Sequence, residues 1–242
     1  MEKEAKLYGI RAIIEAIKSE KSIDKVFLQK GLSGNLFKSL ESLIREKKLN
    51  HSYVPIEKLN RFTKKNHQGA VAEIAPIKFY DLDYLLSIKK KNPLYLILDQ
   101  INDVRNFGAI ARTAECCGVD GIVIQNKGSA RVNGDSIKTS AGAIFNLPIC
   151  KVSNIKDAIY YFQGSDIKVI AATEKTDKTI YKTDFSKGCA ILMGSEEKGI
   201  SSSILNLVDE KAKIPMAGKI ESLNVSVACG AFLSEVMRQR NK

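Results

Sequence analysis

Apolar positions along the first 75 residues switch between two periods. Leu7, Ile10, Ile13, Ile14 and Ile17 recur at the three- and four-residue spacing of an amphipathic helix, which predicts a helix over residues 7–18. Residues 23–29 read as a strand, 35–47 as a second helix, and 52–55 and 70–75 as short strands. Beyond residue 93 the pattern becomes short, continuously apolar runs at 94–98, 121–124, 168–172 and 190–193. Helical stretches near 108–117, 135–143, 154–162 and 201–208 separate them. Short buried strands alternating with helices predict a mostly parallel sheet covered on both faces. Between the two patterns, residues 76–92 hold one short helix near 82–88 that ends at Lys89-Lys90-Lys91-Asn92-Pro93. The expected organisation is α/β, with a small domain over 1–75, a linker over 76–92 and a larger domain over 93–242.

Three polar clusters interrupt the second domain. The stretch from Asp99 to Ala114 runs from a strand end into a helix and contains Asn106 and Arg112. Met193-Gly194-Ser195-Glu196-Glu197-Lys198-Gly199 follows another strand. Its spacing is neither GxGxxG nor a P-loop, so it does not predict a dinucleotide or nucleoside triphosphate site. In residues 214–228, Pro215 and Gly218 force a bend. Val225, Ala228, Cys229, Phe232 and Val236 then follow helical spacing, with Ser222 or Asn224 as the cap. Parallel sheets open their ligand crevice at the carboxyl ends of the strands, where these clusters fall. On the residues alone, Asn106 could equally cap its helix, and Arg112 could be solvated or paired with Glu115.

Composition narrows the function classes. The chain of 242 residues is 44% hydrophobic and carries a formal charge of +11, of which residues 1–75 hold 15 basic against 9 acidic side chains. A basic excess favours polyanionic partners through counterion release. No apolar run is long enough to span a membrane, and Met1-Glu2-Lys3-Glu4-Ala5-Lys6 lacks the apolar core of a signal peptide, so a cytoplasmic location is expected. The five cysteines form no CxxC pair and read as reduced core thiols, and no metal site is expected. Residues 58–69 read as one loop mixing cations, amides, an imidazole and a ring, a combination suited to phosphate contact and base stacking in RNA. Arg11, Arg61, Lys64, Lys65, Asn66 and His67 are the candidate RNA-binding residues.

Taken together, NxGAIxRTA at residues 106–114, MGSEEKGI at 193–200 and IPMAGKIESLNVSVA at 214–228 resemble the three ordered motifs of the SpoU/TrmH family of RNA ribose 2′-O-methyltransferases. The N-terminal module, from YGIRAIIEAI to NHQGAVAEIAPI, is similar to the substrate-binding extension of the RlmB-like branch, which methylates a guanosine of large-subunit (23S) ribosomal RNA. The resemblance covers nearly the whole chain. It implies a knotted (trefoil, SPOUT-type) parallel-sheet methyltransferase domain with a small N-terminal α/β substrate-binding domain (L30e-like), S-adenosylmethionine as cofactor and a homodimer acting on RNA. It places the cofactor against Ala172, Thr173, Met193, Gly194, Ile214, Met216, Leu223 and Asn224. Arg112, Asn106, Glu196, Ser222 and Asn224 match the family's catalytic positions, with Asn106 and Glu196 expected to orient Arg112 and the ribose. One departure is Asp103-Val104, where Asp-Pro is common. Methylation of transfer RNA or of another ribosomal site, and a catalytically silent RNA-binding or ribosome-assembly protein, are the alternatives.

Overall fold

The computed structural model describes residues 6–18, 22–74, 77–88, 90–220 and 222–241. The chain divides into two compact units, one up to Lys78 together with residues 132–134, the other comprising 79–131 and 135–242.

The first unit contains β1 (Lys6–Tyr8), α1 (Ile10–Lys18), β2 (Ile23–Gln29), α2 (Asn35–Glu46), β3 (His51–Val54), α3 (Ile56–Phe62) and β4 (Ala70–Ile74). Its sheet runs β1-β4-β2-β3, antiparallel except for the β2/β3 pair. Alternation along the strands sorts the side chains onto two faces. Val26, Leu28, Ala70 and Ala72 pack with Ile13 and Ile17 of α1 and Phe37, Leu40 and Ile44 of α2. Phe27, Val54 and Val71 point the other way and are covered by Leu59, with Tyr8 and Phe62 packed at the edge.

Two expectations change here. Residues 6–8 form an edge strand rather than the start of a helix, because Gly9 at φ 96° breaks the chain between β1 and α1. Residues 58–62 lie in α3 rather than in a loop, since Leu59 and Phe62, three residues apart, anchor one helical stripe against β2.

The second unit contains α4 (Leu82–Ser87), β5 (Leu94–Leu98), α5 (Val104–Cys116), β6 (Gly121–Gln125), all but the first residue of α6 (Gly134–Thr139), β7 (Ile149–Val152), α7 (Ile155–Gln163), β8 (Lys168–Ala172), β9 (Cys189–Met193), α8 (Ser202–Leu205), β10 (Glu210–Ala212) and α9 (Val225–Arg240). Its six strands are parallel in the order β10-β8-β9-β5-β6-β7. All five residues of β5 and of β9 are buried, the signature of central strands covered on both faces.

Apolar periodicity does not predict β7 or β10. Each is short, and β10 is only Glu-Lys-Ala, so neither carries an apolar run. The stretch expected to be a linker is built into this unit from residue 79 onward. Leu85 is fully buried in its core, and the Tyr80 N–H donates to the Ile149 carbonyl at 2.9 Å. Of the cysteines read as core thiols, Cys116 is exposed and Cys117 half-buried, because they end α5 on its outer side; Cys150, Cys189 and Cys229 are buried.

The end of α9 is tied down by side-chain bonds to main chain. Arg240 donates to the carbonyls of Phe185, Asn92 and Lys187, and Gln239 accepts from the Phe185 N–H while donating to the Thr183 carbonyl. A charged fork answering several carbonyls holds the chain end firmly. That anchoring fixes where the other end of α9, with Asn224, meets the sheet.

Candidate active site

The carboxyl ends of β5 and β9 lie side by side, with Leu98 paired to Met193 and the Asp99 N–H donating to the Met193 carbonyl at 2.8 Å. The chain leaves β5 and turns into α5, which Asp103 caps by accepting from the N–H groups of Arg105 and Asn106, each at 2.8 Å. The cap is therefore Asp103 and not Asn106, which frees the Asn106 side chain. Val104 takes the first helical position, and the aspartate before it supplies the cap without a proline.

After β9 the chain folds back on itself. The Gly199 N–H donates to the Ser195 carbonyl at 2.9 Å, and Gly199 adopts φ 61°. A Cβ on Gly194 would stand 2.4 Å from the Gly199 carbonyl carbon and 2.6 Å from the Ile200 nitrogen, so only glycine permits this closure. The closed loop holds Glu196 towards α5. At the other side Asn224 caps α9, its Oδ1 accepting from the Ser226 N–H at 2.9 Å and from the Ser226 hydroxyl at 2.6 Å.

These three segments meet at one hydrogen-bonded junction. Asn106 Nδ2 donates to Glu196 Oε1, and Asn224 Nδ2 donates to Asn106 Oδ1 at 3.1 Å. The amide orientations follow from the chemistry. A carboxylate can only accept, so Asn106 turns its NH₂ to Glu196. Its oxygen is then left for the NH₂ of Asn224, whose own oxygen faces Ser226. Residues 90 and 118 positions apart are joined this way. Ser226, absent from the expected set, completes the chain of bonds. Its hydroxyl was hidden in an apolar-looking helical stretch, though its place two residues after a cap is a recognisable signal.

Beside the junction lies an open cleft. It is lined by Ala172, Thr173, Met193, Gly194, Ile214, Met216, Ser222 and Leu223, together with Glu174, Gly199, Lys213, Val225, Ala228 and Phe232. Eight predicted residues thus converge on one cavity. Asn224, expected at the cofactor, is placed in the junction rather than in the cleft wall. Residues 214–217 run along the wall without helix or strand.

Arg112 stands apart. It is exposed on α5, six residues from Asn106, about 9 Å further along the axis and roughly 120° around it. Within one chain the Asn106 side chain is engaged by Glu196 on one side and Asn224 on the other, and neither Asn106 nor Glu196 is bonded to Arg112 among the described residues.

Asp99, just after the end of β5, is a further polar residue of this region. Only 2% exposed, its Oδ1 has no hydrogen-bond partner among the described residues, and burial pushes its carboxyl up from the ordinary carboxylate range. Its ionised form is therefore disfavoured in the folded state, which loses stability relative to the unfolded chain as pH rises past the ordinary value. Asp99→Asn is expected to raise the melting temperature at neutral pH by roughly 2–4 °C, about 1 kcal/mol for a chain of this size. Melts from neutral to acid pH check it, because the gain should vanish where both states are protonated.

The predicted RNA-binding residues are distributed unevenly. Arg61, Lys64, Lys65 and Asn66 are exposed on α3 and the turn after it, and Arg11 is exposed on α1. His67 is corrected to a structural residue. It is 8% exposed, its Nδ1 accepts from the Gly69 N–H at 3.0 Å, and its Nε2 bonds Asn60 Oδ1 at 2.9 Å. Since Nδ1 accepts, Nε2 carries the proton, and the ring is used up in holding the turn.

Comparison with known proteins agrees with this arrangement. Residues 93–234 match the SpoU rRNA Methylase family, and residues 6–80 match the RNA 2′-O ribose methyltransferase substrate-binding domain. YacO of Bacillus subtilis, assigned by name to the TrmH family of tRNA/rRNA methyltransferases, is 32% identical over 96% of this chain and 95% of its own. A Staphylococcus aureus protein so assigned is 34% identical over 97% and 96%. The SpoU methyltransferase AviRb of Streptomyces viridochromogenes superposes with a TM-score of 0.64 at 25% identity, covering 98% of this chain and 89% of AviRb, which has also been solved in complex with the cofactor AdoMet. With both domains matched in order and the three motifs meeting at one junction beside the cleft, the chain belongs to the SpoU rRNA Methylase family.

Proposed function

We propose that the chain transfers a methyl group from S-adenosylmethionine to a ribose 2′-hydroxyl of RNA, a guanosine of large-subunit ribosomal RNA in the favoured case. The observation that carries this reading is the Asn106–Glu196–Asn224 junction at the rim of the cleft. Family membership supports the reaction class, and the matched substrate-binding domain supports a structured RNA target.

The residues of the cleft suit S-adenosylmethionine. Ile214, Met216, Leu223 and Phe232 offer apolar surface, the irregular backbone at 214–217 can read an adenine edge, and Glu174 and Lys213 stand where a charged amino-acid tail could meet them. The ligand has no phosphate, consistent with a site that lacks a glycine-rich phosphate loop. When bound, it supplies an electrophilic methyl group. Gly194 and the closed 194–199 loop shape the wall against it. Glu196, whose carboxylate keeps lone pairs beyond its bond to Asn106, is suited to hold a ribose hydroxyl. Ser222 and Asn224 fix the corner between cleft and junction.

Arg112 is assigned to the RNA phosphate and to the alkoxide that develops at the 2′-oxygen, because its fork can bind both as an electrostatic clamp. Its exposure and its distance around α5 from its own junction support a homodimer in which it serves the cleft of a second copy. In the same reading the chain end is threaded as a trefoil knot, in keeping with the ties of Arg240 to residues 92 and 185–187.

Methyl transfer from labelled S-adenosylmethionine to unmodified large-subunit ribosomal RNA and to total transfer RNA, followed by nucleoside analysis, tests the reading. Label in 2′-O-methylguanosine of the ribosomal RNA is the expected result. Label in transfer RNA would replace the substrate, and label in neither would overturn the proposal.

A further inference from the structure

Strand register in the first unit places charges in a row. Lys6 of β1 and Lys25 of β2 are both Cα partners of Glu73 of β4, so the three cross the sheet side by side. Two residues further, Tyr8, Val71 and Phe27 form the next row on the same face. This is the face under α3, opposite α1 and α2.

The lysines around it lie against its rings. Lys25 Nζ is 5.1 Å and Lys58 Nζ 5.8 Å from the centroid of Phe27, so two ammonium groups share one ring. Lys6 Nζ is 4.7 Å from Phe62, whose ring is 4.6 Å from Phe27, and Lys65 Nζ is 5.3 Å from Tyr8. A ring face attracts each cation without neutralising it, while Glu73, whose Oε1 is 4.0 Å from Lys6 Nζ, offsets one charge of the row. The row, α3 and the turn after it bring together six basic side chains, Lys6, Lys25, Lys58, Arg61, Lys64 and Lys65, against two carboxylates, Glu57 and Glu73. Crowding like charges on one surface is unfavourable by itself and becomes favourable when a polyanion replaces the counterions.

We infer that this α3 face is where the domain grips the RNA backbone, with Lys25 and Lys58 as phosphate contacts held ready by Phe27. The inference rests on the reading of the chain as an RNA methyltransferase and adds the surface. It also separates Arg11, which lies on α1 against the other face, from the binding set.

The test is filter binding of the full chain to transcribed large-subunit ribosomal RNA between 50 and 200 mM salt, at concentrations on the scale where such slopes are read. The double variant Lys25→Gln, Lys58→Gln is expected to lose roughly 1–2 units of the log–log salt slope and on the order of tenfold in affinity. Arg11→Gln should leave both unchanged. Lys25→Arg with Lys58→Arg should keep them, as charge and ring contact are retained. A wild-type slope in the double glutamine variant, an equal loss in Arg11→Gln, or failure of the arginine pair would each overturn the inference. Wild-type chain that binds this RNA without methylating it would overturn the reading of the reaction and leave the face standing. Methylation with binding unaffected by the glutamine pair would do the reverse.

Discussion

Arg112→Ala is expected to lower methyl transfer to RNA by roughly 10²–10³-fold, the usual cost of removing one group that stabilises developing negative charge. The affinity for S-adenosylmethionine should stay within about twofold, since Arg112 lies outside the cleft lining of its own chain. Single-turnover methylation and calorimetric titration of the cofactor read the two quantities separately. Arg112→Lys distinguishes a forked clamp from a simple positive charge, because an ammonium cannot match a phosphate with two parallel bonds. A lysine variant as poor as alanine supports the clamp. Full activity in Arg112→Ala would end the assignment.

Gly194→Ala is expected to have a comparable effect by a different route. The added methyl meets main-chain atoms of Gly199 and Ile200 at 2.4–2.7 Å, and backbone cannot rotate aside as a flexible side chain can. The 194–199 loop must open, moving the cleft wall and carrying Glu196 away from Asn106. Overpacking of this kind costs roughly 1–3 kcal/mol, which corresponds to about 5–150-fold in cofactor affinity if the strain falls on the bound state. The predicted signature is a weaker cofactor Kd together with a lower melting temperature, whereas Arg112→Ala should leave the melting temperature alone. Unchanged cofactor binding in Gly194→Ala would show that the loop relaxes without disturbing the wall.

Much of the second unit was legible because its strands are apolar on both faces. Leu94 to Leu98 and Cys189 to Met193 announce themselves as buried, and the turn residues around them mark where the strands stop. The short edges were not legible. Lys6-Leu7-Tyr8 and Glu210-Lys211-Ala212 owe their strand form to neighbours, β4 and β8, that lie far away in sequence. The helix over Ile56–Phe62 was hidden because it is only seven residues long, and its apolar positions Ile56, Leu59 and Phe62 span too few turns to stand out against lysine, asparagine and arginine.

His67 illustrates the same difficulty for function. An imidazole among cations and amides looks available for RNA, yet the turn that ends at Gly69, with φ 80°, buries it and uses both nitrogens. Conversely Asn106, equally readable as a helix cap, is released for the junction because Asp103 takes that duty. Each outcome depends on which neighbour satisfies a backbone N–H first, and competing local partners leave no trace in spacing.

By itself the sequence determined the α/β class, the parallel order of buried strands and helices, and the three polar segments that carry the chemistry. Hydrophobic period and turn residues act over a few positions, so they can be read without knowing the rest of the chain. Only the tertiary structure decided that Asn106 meets Glu196 and Asn224, that Arg112 does not join them within one chain, and which sheet face of the first unit gathers the lysines. Those facts depend on pairing between β5 and β9 and on register across β1, β4 and β2, long-range contacts whose geometry is set by the packed sheet as a whole.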